Sequence, residues 1–403
     1  MRMKRWMSAG VLLLAATAGA QTMARPGWAG SGMDAEPWWK RAVIYDADVR
    51  ASSAGLKGVT ARLDFVKSLG ADAVALGPVN AAGGNCAALD AKLGADEEFA
   101  ELVRAAGARQ VRVLLHLPWE GGADGRQRML DCMRVWMDKG VAGFEVDASG
   151  AAAAGVDDTL RAMRKMVGAS VGQRVLAGKV PAGVRDDAMQ LAADIDLGFV
   201  EKLDAGRMRV LLTETQTKRT GNLPLLLFDD ARHASSRERY GAAGVDVDGM
   251  EKILAVVMLG SRDAAQLDVA QVMTPEEMGA KADEAAEGDA GSLRNWVRRL
   301  VTLRKSSAAM LTGSQELFDH DAEGALVWMR KPAAVSADQP AVMVVCNLTG
   351  KPLTLSLLGD IHKAGLHGFY LRTLARTDLG MGAMDIEAVK VPAWGVYVGE
   401  LRR

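Results

Sequence analysis

Over much of this chain, apolar side chains recur at helical spacing, and each such stretch closes on a glycine before a short apolar run. Val59, Leu63, Val66 and Leu69 form one face, followed by Gly70 and ADAVALGP (71–78). Phe99, Leu102, Val103 and Ala106 form the next, followed by Gly107 and VRVLLHL (111–117). Met129, Met133 and Trp136 form a third, followed by Gly140 and VAGFEVD (141–147). Spacing near 3.6 marks a helix face, a glycine past its end permits a left-handed stop, and a brief apolar run between turn signals marks a strand. Helix, glycine, strand, repeated, predicts a βα array with parallel strands.

The stop glycines at 70, 107 and 140 set a unit of about 35 residues, so eight units need about 280 residues, the size of a (β/α)8 TIM barrel. The segment from 41 to about 311 has that length. Its last helix is marked by Leu293, Trp296, Val297, Leu300 and Val301 behind the cap Ser292. From about Gln315 the pattern changes to short strands: GALVWMRKP, AVMVVCNLTG, LTLSLLGD, FYLRTL and VPAWGVYVGEL. Turn residues at close spacing between them predict a small antiparallel β-sandwich. The predicted fold class is therefore α/β, a TIM barrel over 38–312 followed by a β-sandwich over 313–403.

The N-terminus adds an address. Arg2, Lys4 and Arg5 precede an apolar run from Val11 to Ala16, and Ala18-Gly19-Ala20 is an A-x-A site. This is the layout of a secretory signal peptide over 1–20, ahead of a Gly/Pro-bearing linker over 21–37. The run is too short for a bilayer span, which needs about 20 residues. A periplasmic or secreted protein is expected, with no membrane span once the signal is removed.

Composition narrows the partners. The 403 residues carry 49 basic and 50 acidic side chains, a net charge of −1. That balance offers no electrostatic footprint for nucleic acid or an anionic membrane. Cys86, Cys132 and Cys346 lack metal spacing and any disulfide framework. Buried thiols are the expectation, with one bridge as the alternative.

Candidate chemistry centres on GFEVDAS (143–149). Phe144, Glu145, Val146 and Asp147 alternate as a strand does, and the run ends on a carboxylate beside small residues. An acid at the C-terminal end of a barrel strand is where a retaining glycosidase places its nucleophile. Trp119, just past the third strand, is a candidate platform for a sugar ring. His116 is read as a barrel-interior histidine rather than a metal ligand, since no H-x-x-x-H spacing occurs.

Several stretches together resemble one family. WWKRAVIY (38–45), LKGVTARLDFVKSLGADAVALGPV (56–79), ALDAKLGADEEFAELV (88–103), GVAGFEVD (140–147), VRRLVTLRKSSAAM (297–310) and VPAWGVYV (391–398) are similar to the α-amylase superfamily, glycoside hydrolase family 13. The resemblance is ordered from about residue 37 to the end. It implies a TIM barrel with a C-terminal β-sandwich and an α-linked glucan or oligosaccharide as ligand.

Carried over position by position, the resemblance matches Asp147 to the nucleophile and Asp229 and Arg232 to the strand-7 motif. Tyr45 matches a tyrosine of the sugar site. Other positions depart. Glu145 stands where the strand-4 motif has arginine, and Lys179 where strand 5 ends in the general-acid glutamate. Leu227 and Phe228 replace an Asn-His pair, and His116 replaces the strand-3 aspartate, with Glu120 and Gly121 after it. The family's insertion after strand 3 is also missing. That removes the calcium cage, so no metal and no cofactor are expected. A family barrel without the insertion and with eroded catalytic positions also resembles the heavy chains of heteromeric amino-acid transporters, which are not enzymes.

A retaining glycosidase needs two carboxyl groups about 5 Å apart, one of them a proton donor. An ammonium with the ordinary lysine pKa of about 10.4 holds its proton too tightly for that role near neutrality. The expectation is an ion network of Glu145, Asp147 and Asp229 against Lys179 and Arg232, Asp147 pairing directly with Lys179. Tyr45, His116, Trp119, Glu145 and Arg232 are the expected ligand contacts. Two alternatives stay open: a working site with a relocated acid such as Glu120, or a structural role toward a protein partner.

Overall fold

Eight parallel strands close into a barrel: β1 (Val43–Ala47), β2 (Ala73–Leu76), β3 (Arg112–His116), β4 (Gly143–Asp147), β5 (Val175–Lys179), β6 (Leu191–Asp196), β7 (Leu223–Leu227) and β8 (Ala264–Asp268). They follow chain order, and β1 pairs with β8 to complete the ring. The computed structural model describes residues 37–50, 54–81, 85–185, 187–197, 203–217, 223–227, 238, 240–241, 245–268 and 290–403. The signal and nearly all of the linker read from the sequence lie outside these residues.

Strand alternation sorts side chains into two layers. Val43, Tyr45, Phe144 and Val146 face the helices, whereas Ile44, Ala73, Ala75, Leu114, Val175 and Ala177 share the barrel interior. At the N-terminal end of the barrel, Trp38 and Trp39 pack on that interior cluster. The Trp38 indole donates to the Gln173 carbonyl (2.8 Å), and the Arg112 guanidinium lies 4.5 Å from the Trp38 ring centre. These aromatics form the floor of the barrel, which leaves its C-terminal mouth as the accessible end.

The surrounding helices include α1 (Gly55–Ala61), α2 (Leu63–Ser68), α3 (Asp96–Ala108), α4 (Gly122–Asp138), α5 (Val156–Ala169), α6 (Ala205–Thr217), α7 (Val247–Gly260) and α8 (Leu293–Ser306). Two details differ from the periodicity. The face from Val59 to Leu69 is split at Arg62 into α1 and α2. Gly70 and Gly140 take the predicted left-handed stops (φ 76° and 97°), but Gly107 lies inside α3 and Gln110 takes that position instead (φ 57°). The hydrogen bonds explain why. At Gly70, the amides of residues 70 and 71 return to the carbonyls of Lys67 and Val66; at Gln110, those of 110 and 111 return to Gly107 and Ala106. Both are the same two-bond helix termination, and its geometry rather than the nearest glycine fixes the left-handed residue.

The C-terminal domain is an uneven sandwich. After α9 (Ala308–Thr312), one sheet orders β14-β13-β16-β11-β10-β9, with β9 Ser314–His320, β10 Ala325–Lys331, β11 Val342–Asn347, β13 Tyr370–Arg376, β14 Ala383–Asp385 and β16 Val396–Arg402. Against it lie the two strands β12 (Leu353–Leu355) and β15 (Val389–Val391), with α10 (Leu358–Lys363) between β12 and β13 in the chain. Val327, Met343, Val345, Leu355, Val389 and Tyr397 share the core between them.

Ionic contacts tie this domain to the barrel. Arg209 of α6 donates to Asp321 (Nε, 2.9 Å) just past β9. The adjacent His320 sits 2.7 Å from Asp360 at α10 and 3.8 Å from Glu323, and Asp360 raises its pKa above the ordinary value. A raised histidine pKa contributes stability that is complete below the unfolded value of about 6.5 and fades as pH climbs through the folded value. Thermal melts of the wild type and His320→Gln should therefore differ most near pH 6 and converge toward pH 9. An equal difference at both pH values would contradict this linkage.

Candidate active site

Inward-facing positions at the C-terminal ends of five strands meet at the barrel mouth. Glu145 is the register partner of His116 across β3–β4, and Asp147 is that of Lys179 across β4–β5. Asp46 arrives on β1 and Gln266 on β8. The His116 Nε2 lies 3.2 Å from Glu145 Oε2 and 3.3 Å from Asp46 Oδ1. Gln266 Nε2 donates to Glu145 Oε2 (3.2 Å) and Asp46 Oδ2 (3.4 Å). One amide thus bridges two carboxylates, with the imidazole close to both.

Burial raises the Glu145 pKa above the ordinary glutamate value, and Asp46 adds to the rise. His116, the Gln266 hydrogen bond and Lys179 oppose it. Asp147 is held differently. Its Oδ1 accepts from the Ser149 amide (2.9 Å) and the Ser149 hydroxyl (2.5 Å). Lys179 is its register partner across the ladder. The two strands approach closely because Gly178 has no side chain; a Cβ there would collide with the Val146 carbonyl.

The other expected contacts separate. Tyr45 is 2% exposed and its ring lies 6.3 Å from that of Phe65 on α2, so it faces the helical layer and not the mouth. Alternation makes this unavoidable: Ile44 points inward, so Asp46 does too, and Tyr45 cannot. Asp46 is the mouth residue that sequence reasoning passed over, and Gln266 is another. Period-two parity from Ile44 would have found the first. Asp229 and Arg232 lie outside the described residues.

Trp119, past the end of β3, lines a cleft of about 1150 Å3 shared by the loops after β2 and β3 and by α4, and none of the mouth residues named above lines it. Glu120 accepts from Arg128 Nε at 2.6 Å in the same cleft. Cys86 and Cys132, also lining the cleft, form a disulfide (Cα–Cα 5.8 Å), while Cys346 is a buried thiol. The expectation of three thiols is corrected for the first two. A loop and a helix distant in sequence bring them together, so their spacing carried no signal. Among the described residues, no group of three or more His, Cys, Asp or Glu is placed to hold a metal ion.

No family model matches the chain. The amino acid transporter heavy chain SLC3A2 of Oryctolagus cuniculus is 27% identical over 131 residues, covering 27% of this chain and 25% of that protein. The chain thus spans about a quarter of the length of that relative. Solved structures match over more of it. Trehalulose synthase MutB of Pseudomonas mesoacidophila superposes with a TM-score of 0.72 at 15% identity. Trehalose-6-phosphate hydrolase of Bacillus licheniformis and the α-glucosyl transfer enzyme XgtA each give 0.70, at 16% and 15% identity. Each comparison covers 91% of this chain and 100% of the other. The fold is that of these barrel enzymes, in agreement with the α-amylase resemblance of the motifs.

The disulfide can be checked directly. It closes a separation of 46 residues, which on chain-entropy grounds stabilises by about 4 kcal/mol. Thiol titration in denaturant without reductant should count one group, and reduction should lower the unfolding free energy by about that amount. Three titratable thiols in the native preparation would refute the bridge.

Proposed function

We propose that this chain is an exported α-amylase-type barrel protein that binds a glucan or oligosaccharide at its mouth without hydrolysing it. One observation carries the proposal: Lys179 stands opposite Asp147 across the β4–β5 ladder, at the position where the family's proton donor belongs. Retention needs a second carboxyl group beside the nucleophile. Glu145 is a carboxyl group on the same strand face, but His116 and Gln266 engage it from two sides. Glu120 is engaged by Arg128 on the cleft wall. Neither acid is disposed to protonate a leaving oxygen over Asp147.

Sugar binding is supported by the fold neighbours, which are described as glucosyl-transferring, trehalulose-forming and trehalose-6-phosphate-hydrolysing enzymes. Trp119 supplies an aromatic wall in the cleft past the end of β3. The partial similarity to a transporter heavy chain favours a second reading, a structural partner of an envelope protein. Maltooligosaccharide titration separates the two, since only the first reading requires binding.

Hydrolysis is tested with nitrophenyl α-glucoside. The wild type and Lys179→Glu should both be inactive, the latter because Glu145, Asp147 and the new acid would crowd together without an arginine. Glu145→Arg combined with Lys179→Glu offers the best route to turnover. Wild-type turnover that Asp147→Asn abolishes would overturn the non-hydrolytic reading.

Export rests on the basic, apolar and A-x-A pattern of residues 2–20, and the Cys86–Cys132 disulfide supports an oxidising compartment. Mass spectrometry of protein from the native host should find a chain starting near Gln21. A start at Met1 would refute processing.

A further inference from the structure

We propose that the sugar bound at the barrel mouth carries an ammonium group, as an amino sugar does, seated among Asp46, Glu145 and Gln266. This rests on the reading above that the mouth takes a sugar, and it names the class. The first observation is an orphan acceptor. Gln266 is 5% exposed and spends its amide nitrogen on two carboxylates, while its Oε1 has no hydrogen-bond partner among the described residues. A buried carbonyl oxygen without a donor is a place where a ligand donor belongs.

Charge selects the kind of donor. Asp46, Glu145 and Asp147 present three carboxylates at the mouth, against Lys179 and the titratable His116 among the described residues. Glu145 is faced by Asp46 from β1, His116 from β3, Lys179 from β5 and Gln266 from β8. Burial, with Asp46 adding to it, keeps its pKa raised against the opposing effects of His116, the Gln266 hydrogen bond and Lys179. A hydroxyl would satisfy the Gln266 oxygen but leave that rise as it is. An ammonium has three donors and no acceptor, and it supplies an opposing charge.

The site is reachable. The Asp46 and His116 side chains are 32% and 27% exposed, on the side of the cluster away from the floor. Among the described residues, no group of three or more His, Cys, Asp or Glu here is placed to hold a metal ion.

The test compares D-glucosamine, N-acetylglucosamine and glucose by calorimetric titration of the full processed chain at pH 6.5 and low salt, where glucosamine is a cation and the other two are neutral. Glucosamine should bind at least tenfold more tightly than either neutral sugar, and 0.5 M salt should reduce that preference. Glu145→Gln should abolish the preference. If that variant melts far below the wild type, Asp46→Asn, at a partly exposed position, carries the same test. Equal affinities for the three sugars would overturn the ammonium site while leaving sugar binding intact. Binding of none of the three, and of no maltooligosaccharide, would overturn both.

Discussion

Two guanidinium groups without solvent exposure grip one turn of the barrel, and Arg330 reaches it from the C-terminal domain. Arg304, on the last barrel helix, donates to the carbonyls of Leu259 and Ser261 (2.9 and 2.6 Å) and of Asp263 (2.6 Å). Arg330, on β10 of the C-terminal sheet, donates to Gly260 (2.9 Å) and Gly313 (3.1 Å), and the Trp328 indole adds a bond to Gly260. Burial lowers the pKa of these groups to about 10 and about 9, still above neutrality, with Asp263 opposing the shift. Each hydrogen bond from a charged group of this kind contributes about 1.5–3 kcal/mol. The turn they grip leads directly into β8. Its position sets the height of that strand against β1, and with it the reach of Gln266 to Asp46 and Glu145.

At the mouth, the pair that the family resemblance implies has its polarity reversed. The motifs put aspartate at the strand-3 position and arginine at the strand-4 position; this chain puts His116 and Glu145 there, in register and 3.2 Å apart. The contact survives, but a permanent cation beside the nucleophile becomes an anion, and the fixed charge becomes titratable. Lys179 returns one positive charge on the next strand. In the reading proposed above, an arrangement that favours charge development at a sugar gives way to one that favours binding a cation.

How much of this was legible follows from what each feature depends on. The barrel was legible because it rests on periodicity, which is local, and Val297, Leu300 and Val301 are buried where the heptad-like spacing put them. The paired sheets of the C-terminal domain were legible for the same reason. Parity would have placed Asp46, but the motif match at Tyr45 drew attention one residue away. Gln266 was not legible at all: its importance comes from β1 and β8 meeting after 220 residues of chain. The Cys86–Cys132 bridge was hidden by the same non-local geometry. The stop at Gln110 shows the converse, a local rule applied to the wrong residue because a glycine stood nearby.

Asp147 remains to be accounted for, since in the proposed reading it has no proton donor beside it. Its carboxylate accepts from the amide two residues ahead and from the same residue's hydroxyl. That is an Asx-type turn, in which the side chain replaces a backbone acceptor where the strand stops. The turn is needed here. The Ala148 amide still belongs to the β4–β5 ladder through the Lys179 carbonyl (3.0 Å), and the chain must leave the sheet at the next residue. The Ala151 amide then returns to the Ala148 carbonyl (2.9 Å), closing the bend. A residue that ends a strand and aims the following loop would be kept by the fold whether or not it attacks a sugar. The position that carries the family's chemistry and the position that shapes the mouth are the same, so its presence alone is no argument for hydrolysis.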